Sequence, residues 1–228
     1  MMPRRNVVVF DLDDTLYKEV DYLQSAFHEI ASFLESRFGL SAVYDQLFRS
    51  WQQGGNAFEH VINTYHLPLP SAELLRMYRA HHPQIALDAN TRRVLEQLHQ
   101  SCVLGIITDG RSLTQRNKIK ALGLDAFVDA QHLFISEETG FPKPAPEPFL
   151  ALMKRYPDAD FCYVGDNPSK DFLAPNQLGW TTVCLLDDGR NIHPQSWSLE
   201  KHYLPTEKAK SIRNVYEILC KIQNSHSR

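Results

Sequence analysis

Four short segments of this chain carry side chains suited to chemistry on an anion or with a hard cation. Asp11-Leu12-Asp13 sets two carboxylates two residues apart, directly after the apolar run Asn6–Phe10. Thr108 closes a second apolar run, Cys102 to Ile107. Lys143 opens the proline-rich stretch Lys143-Pro-Ala-Pro-Glu-Pro-Phe149. Asp166 follows Phe161-Cys-Tyr-Val-Gly165, and Asp171 stands five residues further on. Carboxylates can attack an electrophile, move a proton or ligate a hard cation, while a hydroxyl and an ammonium are donors to an anion. Each segment also has a plainer reading. Asp-x-Asp is a common turn or cap device, Thr108-Asp109-Gly110 and Gly165-Asp166-Asn167-Pro168 are good turns, and Asp171 suits the first turn of a helix.

The surrounding elements give these residues a common direction. Asn6–Phe10 is a short β-branched run of the kind buried in a parallel sheet. Residues 21–38 follow a helical period, with Leu23, Phe27, Ile30, Phe33, Leu34 and Phe38 in one stripe and Gly39 as the stop. Further helical patterns lie near 42–52, 56–65 and 71–80, and residues 17–86 contain no convincing strand. After Asp88 strands and helices alternate. Helices are expected near 89–100, 112–122, 146–155, 169–178 and 207–222, with strands at 102–107, 133–135, 161–164 and 181–186 and a short one near 202–204. This grammar predicts an α/β doubly wound, Rossmann-like parallel sheet. Ligands in such sheets bind beyond the carboxyl ends of the strands, where Asp11, Thr108 and Asp166 fall. The helical block is inserted after the first strand, so its natural place is over that crevice.

The four segments, in this order and on these strand ends, resemble the signatures of the haloacid dehalogenase-like (HAD) superfamily of phosphohydrolases. The likeness spans about the whole chain. It implies an enzyme, a magnesium-dependent phosphatase working through an aspartyl-phosphate on Asp11. Asp13 would be the general acid and then the base, a role that wants a pKa raised toward neutrality. Magnesium would bind Asp11, the backbone carbonyl of Asp13, and Asp166, with Asp171 holding a metal-bound water. Thr108, Asp109 and Lys143 would bind the phosphate. Lys143-Pro144 is a cis bond in relatives, and Thr15 is expected to fix the turn by bonding to backbone. The insert corresponds to what the family calls a C1 cap, giving a core of residues 1–16 and 87–228 and a cap of 17–86. Such caps close over small molecules, so the partner is a small phosphorylated metabolite. A sugar phosphate is the first expectation and a nucleotide monophosphate the second. Arg111, Tyr17, Lys18 and Asn56 are candidate substrate contacts. Pro175 is expected to kink or shorten its helix.

Alternatives share the scaffold. A dehalogenase has no use for Asp13, Asp166 and Asp171 as acids and ligands. A sugar phosphomutase keeps every signature, and a non-catalytic binding protein can use the same fold. Composition narrows the field further. With 43% hydrophobic and 22% charged residues among 228 and a net charge of -3, nothing calls for a nucleic acid polymer or an acidic membrane surface. The four cysteines are read as buried thiols, and no apolar run approaches a membrane span, so a cytoplasmic monomer or homodimer is expected. His81-His82 is read as hinge surface. His60 and His66 lack ligand spacing, and the aromatics Phe27, Phe33, Phe38, Phe48, Trp51 and Phe58 are read as cap core.

Overall fold

The computed structural model describes residues 6–226, with side chains through residue 222. Six parallel strands form one sheet: β1 (Asn6–Phe10), β2 (Cys102–Thr108), β3 (Leu133–Ile135), β4 (Asp160–Gly165), β5 (Thr181–Leu185) and β6 (Glu207–Ala209). Their order is β3-β2-β1-β4-β5-β6, so the chain reverses its winding beside β1. That reversal is where a doubly wound sheet opens a crevice. Register puts the chemistry on one level. Phe10 pairs with Ile106 and with Val164, so Thr108 and Asp166 each lie two residues past Phe10's partners.

Alternate residues of β1 face opposite sides. Val8 and Phe10 join Ile106, Val164 and Val183 in one core, with Leu95 and Leu98 of α5 (Ala89–His99), Leu122 of α6 (Ser112–Leu122) and Val215 and Leu219 of α10 (Ile212–His226). Val7 and Val9 join Ile107, Tyr163 and Cys184 in the other, against Phe149 and Leu152 of α8 (Glu147–Arg155). A short helix, α7 (Ser136–Thr139), follows β3. Helices on both faces explain why these strands read as nearly continuous apolar runs.

Of the five helices between β1 and β2, the first four, α1 (Glu19–Phe38), α2 (Val43–Gln52), α3 (Ala57–Tyr65) and α4 (Ser71–Ala80), form the insert. They close a separate core around Phe27, Ile30, Leu34, Leu47, Val61 and Leu74. Of the six aromatics assigned to that core, Phe27 is fully buried, and Phe33, Phe38, Phe48, Trp51 and Phe58 pack against it half-buried. Gly39 ends α1 in the left-handed conformation, with φ 66°. Tyr17, Tyr22 and Ile85, at the junctions, pack into the sheet's core instead.

The C-terminal third departs from expectation. Residues 201–203 form a 3-10 turn, and the edge strand is Glu207–Ala209, paired with β5. α10 therefore begins at Ile212, not near 207. An edge strand of three residues buries only Ala209, so its polar sequence carries no strand signal. The helix expected over 169–178 is α9 (Leu173–Gln177). Residues 167–171 are instead turned by Asn167, whose side chain accepts from the Ser169 amide at 3.0 Å. Pro175 sits in the first turn of α9, where no intrahelical N–H bond is lost.

Cys102, Cys162 and Cys184 are buried, and Cys220 is half-buried. His81 is a correction. It is buried rather than hinge surface, its ring centre 4.5 Å from that of Tyr22 at a tilt of 56°, with Nδ1 2.8 Å from the Tyr78 carbonyl. Among the described residues, no helix is long and apolar enough to cross a membrane.

Candidate active site

Asp11 leaves β1 with its amide still bonded to the Val164 carbonyl at 2.8 Å, so its position is held by the sheet ladder itself. Its carboxylate is buried, and Oδ1 lies 2.7 Å from Lys143 Nζ. The same ammonium lies 2.7 Å from Asp171 Oδ1 and donates to the Tyr163 hydroxyl at 3.2 Å. Lys143 reaches this point from a loop whose Lys143-Pro144 bond is cis and whose Lys143 amide donates to Asp109 Oδ1 at 3.0 Å. Burial penalises the Lys143 charge, but Asp11 and Asp171 outweigh it and hold the pKa well above that of an ordinary lysine.

Asp171 anchors the end of β4. Its Oδ2 accepts from the amides of Asp166 at 3.2 Å and Asn167 at 2.8 Å. Only a glycine fits beneath it, because a Cβ on Gly165 would stand 2.6 Å from Asp171 Oδ2. Carboxylate oxygens of Asp11, Asp166 and Asp171 lie within 4.8 Å of one another. Burial, then the charges of Asp11, Asp171 and Asp14, push Asp166 up to about 9, and burial pushes Asp11 up to about 6 against the pull of Lys143. With all three carboxylates ionised, the one ammonium that pairs with two of them would leave a charge of -2. Asp11, Asp166 and Asp171 can hold a divalent cation, which removes that deficit. Their oxygen-only donor set suits magnesium.

Two residues past Asp11, Asp13 has a different environment. Lys118 Nζ lies 2.7 Å from its Oδ1, the Tyr17 hydroxyl donates to Oδ1 at 2.5 Å, and Gln115 Nε2 donates to Oδ2 at 2.9 Å. Burial works against its charge, but Lys118, Tyr17 and Gln115 together outweigh it and lower the pKa. The expectation of a raised value for Asp13 is therefore not met: in this arrangement its ionised form is favoured. Beside it Glu19 is pushed up to about 8 by burial and by Asp13.

Thr108 is buried at the end of β2, and its Oγ1 accepts from Gln115 Nε2 at 2.7 Å. Asp109 holds the Lys143 loop and lies 3.6 Å from Lys170 Nζ. Asp14, in a left-handed conformation with φ 55°, caps the chain's entry into α1 by accepting from the Glu19 amide at 2.9 Å. The Thr15 amide donates to the Leu12 carbonyl at 3.4 Å within the turn, and its hydroxyl donates to Asp166 Oδ1 at 3.5 Å. Asn56 is exposed and caps α3 through the Glu59 amide. Arg111 is exposed and lies 3.4 Å from Glu137 Oε1.

Several site neighbours escaped the sequence reading. Asn191 Nδ2 donates to Asp166 Oδ2 at 3.1 Å, while its Oδ1 accepts from Lys18 Nζ at 2.8 Å. Its loop is folded by Asp187, whose Oδ1 accepts from the amides of Gly189, Arg190 and Asn191. Gln195 donates to the Asp166 carbonyl at 2.7 Å. Gln115 and Lys118 did leave a signal. With Ile119 and Leu122 they fall at positions i, i+3, i+4 and i+7 of α6, so two polar side chains occupy its core-facing stripe.

This sheet, its inserted helices and this cluster of strand-end acids define a hydrolase of the α/β class. Residues 8–185 match the family described as haloacid dehalogenase-like hydrolase, and the chain belongs to it. Two relatives are glyceraldehyde 3-phosphate phosphatases. One, from Methanocaldococcus jannaschii, is 28% identical over 78% of this chain and 84% of its own. The other, from Pyrococcus abyssi, is 31% identical over 78% and 79%. The crystal structure of the HAD-hydrolase YfnB from Bacillus subtilis, itself bound to magnesium, is similar with a TM-score of 0.63 at 23% identity. That match covers 95% of this chain and 99% of YfnB.

Proposed function

We propose that this hydrolase is a magnesium-dependent phosphatase that removes phosphate from a small sugar phosphate through an aspartyl-phosphate on Asp11. The observation that carries the reading is the Asp11 carboxylate at the sheet's switch point, 2.7 Å from Lys143 and within a three-acid group able to hold a divalent cation. The phosphatase names of the two archaeal relatives support a short phosphorylated sugar over a nucleotide. Asp11, Asp166 and Asp171 would hold the magnesium, which supplies positive charge between an anionic nucleophile and an anionic phosphate.

The residues then divide the work. In the first half an Asp11 oxygen forms a bond to phosphorus as the bond to the sugar oxygen breaks, and Asp13 gives that oxygen a proton. In the second half water attacks phosphorus and its proton goes to Asp13. Asp11 leaves as a carboxylate, and inorganic phosphate is released. Ionised Asp13 suits the second half. For the first half, an incoming phosphate penalises the negative charge of Asp13 and raises its pKa. Lys143 and Thr108 supply donors to the phosphate oxygens.

The test is phosphate release from triose, pentose and hexose phosphates and from nucleotide monophosphates, with magnesium and with EDTA. Magnesium-dependent release led by a sugar phosphate is expected. Preference for nucleotides would overturn the substrate class. No release, together with phosphate transfer between sugar positions, would mark a mutase.

A further inference from the structure

We propose that Gln115 and Lys118 of α6 are positioning residues that aim the Asp13 carboxyl at the leaving oxygen, with Gln115 also aiming the Thr108 hydroxyl at phosphate. This rests on the reading of Asp13 as the group that protonates the leaving oxygen.

The geometry is that of a built support. Both side chains are almost fully buried, Gln115 at 1% and Lys118 at 3% exposure, although neither residue type is ordinarily found in a core. Each Asp13 oxygen has its own holder: Oδ1 has Lys118 and Tyr17, and Oδ2 has Gln115. The plane of the carboxyl is thereby set from two sides. A carboxylate accepts only, so the Gln115 amide must turn its NH2 toward Asp13. The two hydrogens of that group serve two partners, Asp13 Oδ2 at 2.9 Å and Thr108 Oγ1 at 2.7 Å. Because Thr108 Oγ1 accepts from Gln115, its own hydroxyl hydrogen points elsewhere and is available to a phosphate oxygen. One amide thus sets a proton donor at the leaving group and a hydroxyl donor at the phosphate.

The backbone makes room for this amide. A Cβ on Gly110 would stand 3.0 Å from both Cγ and Cδ of Gln115, so the glycine after Thr108-Asp109 clears the space the side chain occupies. Lys118 is steered in turn. Its ammonium lies 4.4 Å from the centre of the Tyr22 ring and 3.9 Å from Glu19 Oε1, both on α1. The first helix of the insert therefore helps place the lysine that places Asp13. An ammonium buried with one close carboxylate and one aromatic face has few other orientations, which is what a positioning group needs.

Leaving-group chemistry separates positioning from simple damage. A poor alkoxide leaving group needs a proton from Asp13, whereas 4-nitrophenolate leaves without one. Wild type, Asp13→Asn, Gln115→Met and Lys118→Met are compared on glycerol phosphate and 4-nitrophenyl phosphate, with folding checked by near-UV circular dichroism. Asp13→Asn is expected to lower the first-turnover rate of alcohol release from glycerol phosphate by about 10²–10⁴-fold and that of nitrophenol release from the aryl ester far less, because the water step that Asp13 also serves follows that release. Gln115→Met and Lys118→Met are expected to show the same bias at about 10²-fold in that first-turnover rate, with little change in KM. An unchanged ratio between the two esters in folded variants would overturn the proposal. If Lys118→Met does not fold, Gln115→Met decides alone. If Asp13→Asn itself shows no bias, the role of Asp13 falls, a failure distinct from that of its two supports.

Discussion

Asp11 and Asp13 stand two residues apart at the end of the same strand, yet their surroundings solve opposite electrostatic problems. On the Asp13 side the protein supplies its own compensation: an ammonium, a phenol and an amide converge on one carboxylate and lower its pKa. On the Asp11 side it does not. Lys143 serves two of three clustered acids, and Asp166 is left with a pKa pushed up to about 9 by burial and by its negative neighbours. A fold that gives Asp13 its own close ammonium and leaves the three-acid group in deficit marks where an external cation belongs. The first side carries its own cation, and the second can take one from outside.

The strongest way to break this comparison is to remove the proposed nucleophile. Asp11→Asn is expected to abolish turnover while the far-UV circular dichroism stays unchanged. Normal phosphate release from protein shown by mass spectrometry to be free of deamidation would end the assignment. Next comes the support of the metal side. Asn191→Leu removes the 3.1 Å bond to Asp166 and is expected to raise the magnesium concentration needed for half-maximal activity about 10–100-fold, with little change in leaving-group bias. An unchanged magnesium requirement would mean that Asn191 does not tune the site.

Linkage to pH sharpens the contrast without a mutation. Folded-state values of about 6 for Asp11 and about 9 for Asp166 lie above the ordinary 3.8, so without metal the folded protein holds protons that the unfolded chain releases. Stability from these groups is present at low pH and is lost as pH rises through that window. Magnesium takes the place of those protons, so the rise in Tm on adding it should be larger at pH 8 than at pH 5. An equal rise at both values, measured by calorimetry, would contradict the charge deficit.

The smallest effect expected is on stability. In Gly165→Ala the new methyl would meet Asp171 Oδ2 at 2.6 Å, and the turn must shift, at a cost of about 1–3 kcal/mol in urea unfolding. Its functional effect should fall on the metal side. Gly110→Ala, which crowds Gln115, should instead disturb the Asp13 side.

Much of the frame was legible because it is local. The runs that became β1, β2 and β4 are short and apolar, and each leads straight into an acid or a threonine. The helices of the insert showed their stripes, and Gly39 announced the end of α1. Where a buried stripe did not exist, the reading slipped. The strand Glu207–Ala209 is defined by its pairing with β5 rather than by its own residues, and α10 starts at Ile212, later than the expected 207.

What the sequence by itself determined is the set of reactive groups and the strand ends that carry them, since period-two burial and turn chemistry act over a few residues. Only the tertiary structure decided how each group is charged. Lys118 meets Asp13 across 105 positions of chain, Gln115 meets it across 102, and Asn191 reaches Asp166 across 25. The pKa of a buried carboxylate depends on which charges and donors stand within a few ångströms of it. Those neighbours are brought together by the packing of α6 and of the loop after β5, which no local pattern records.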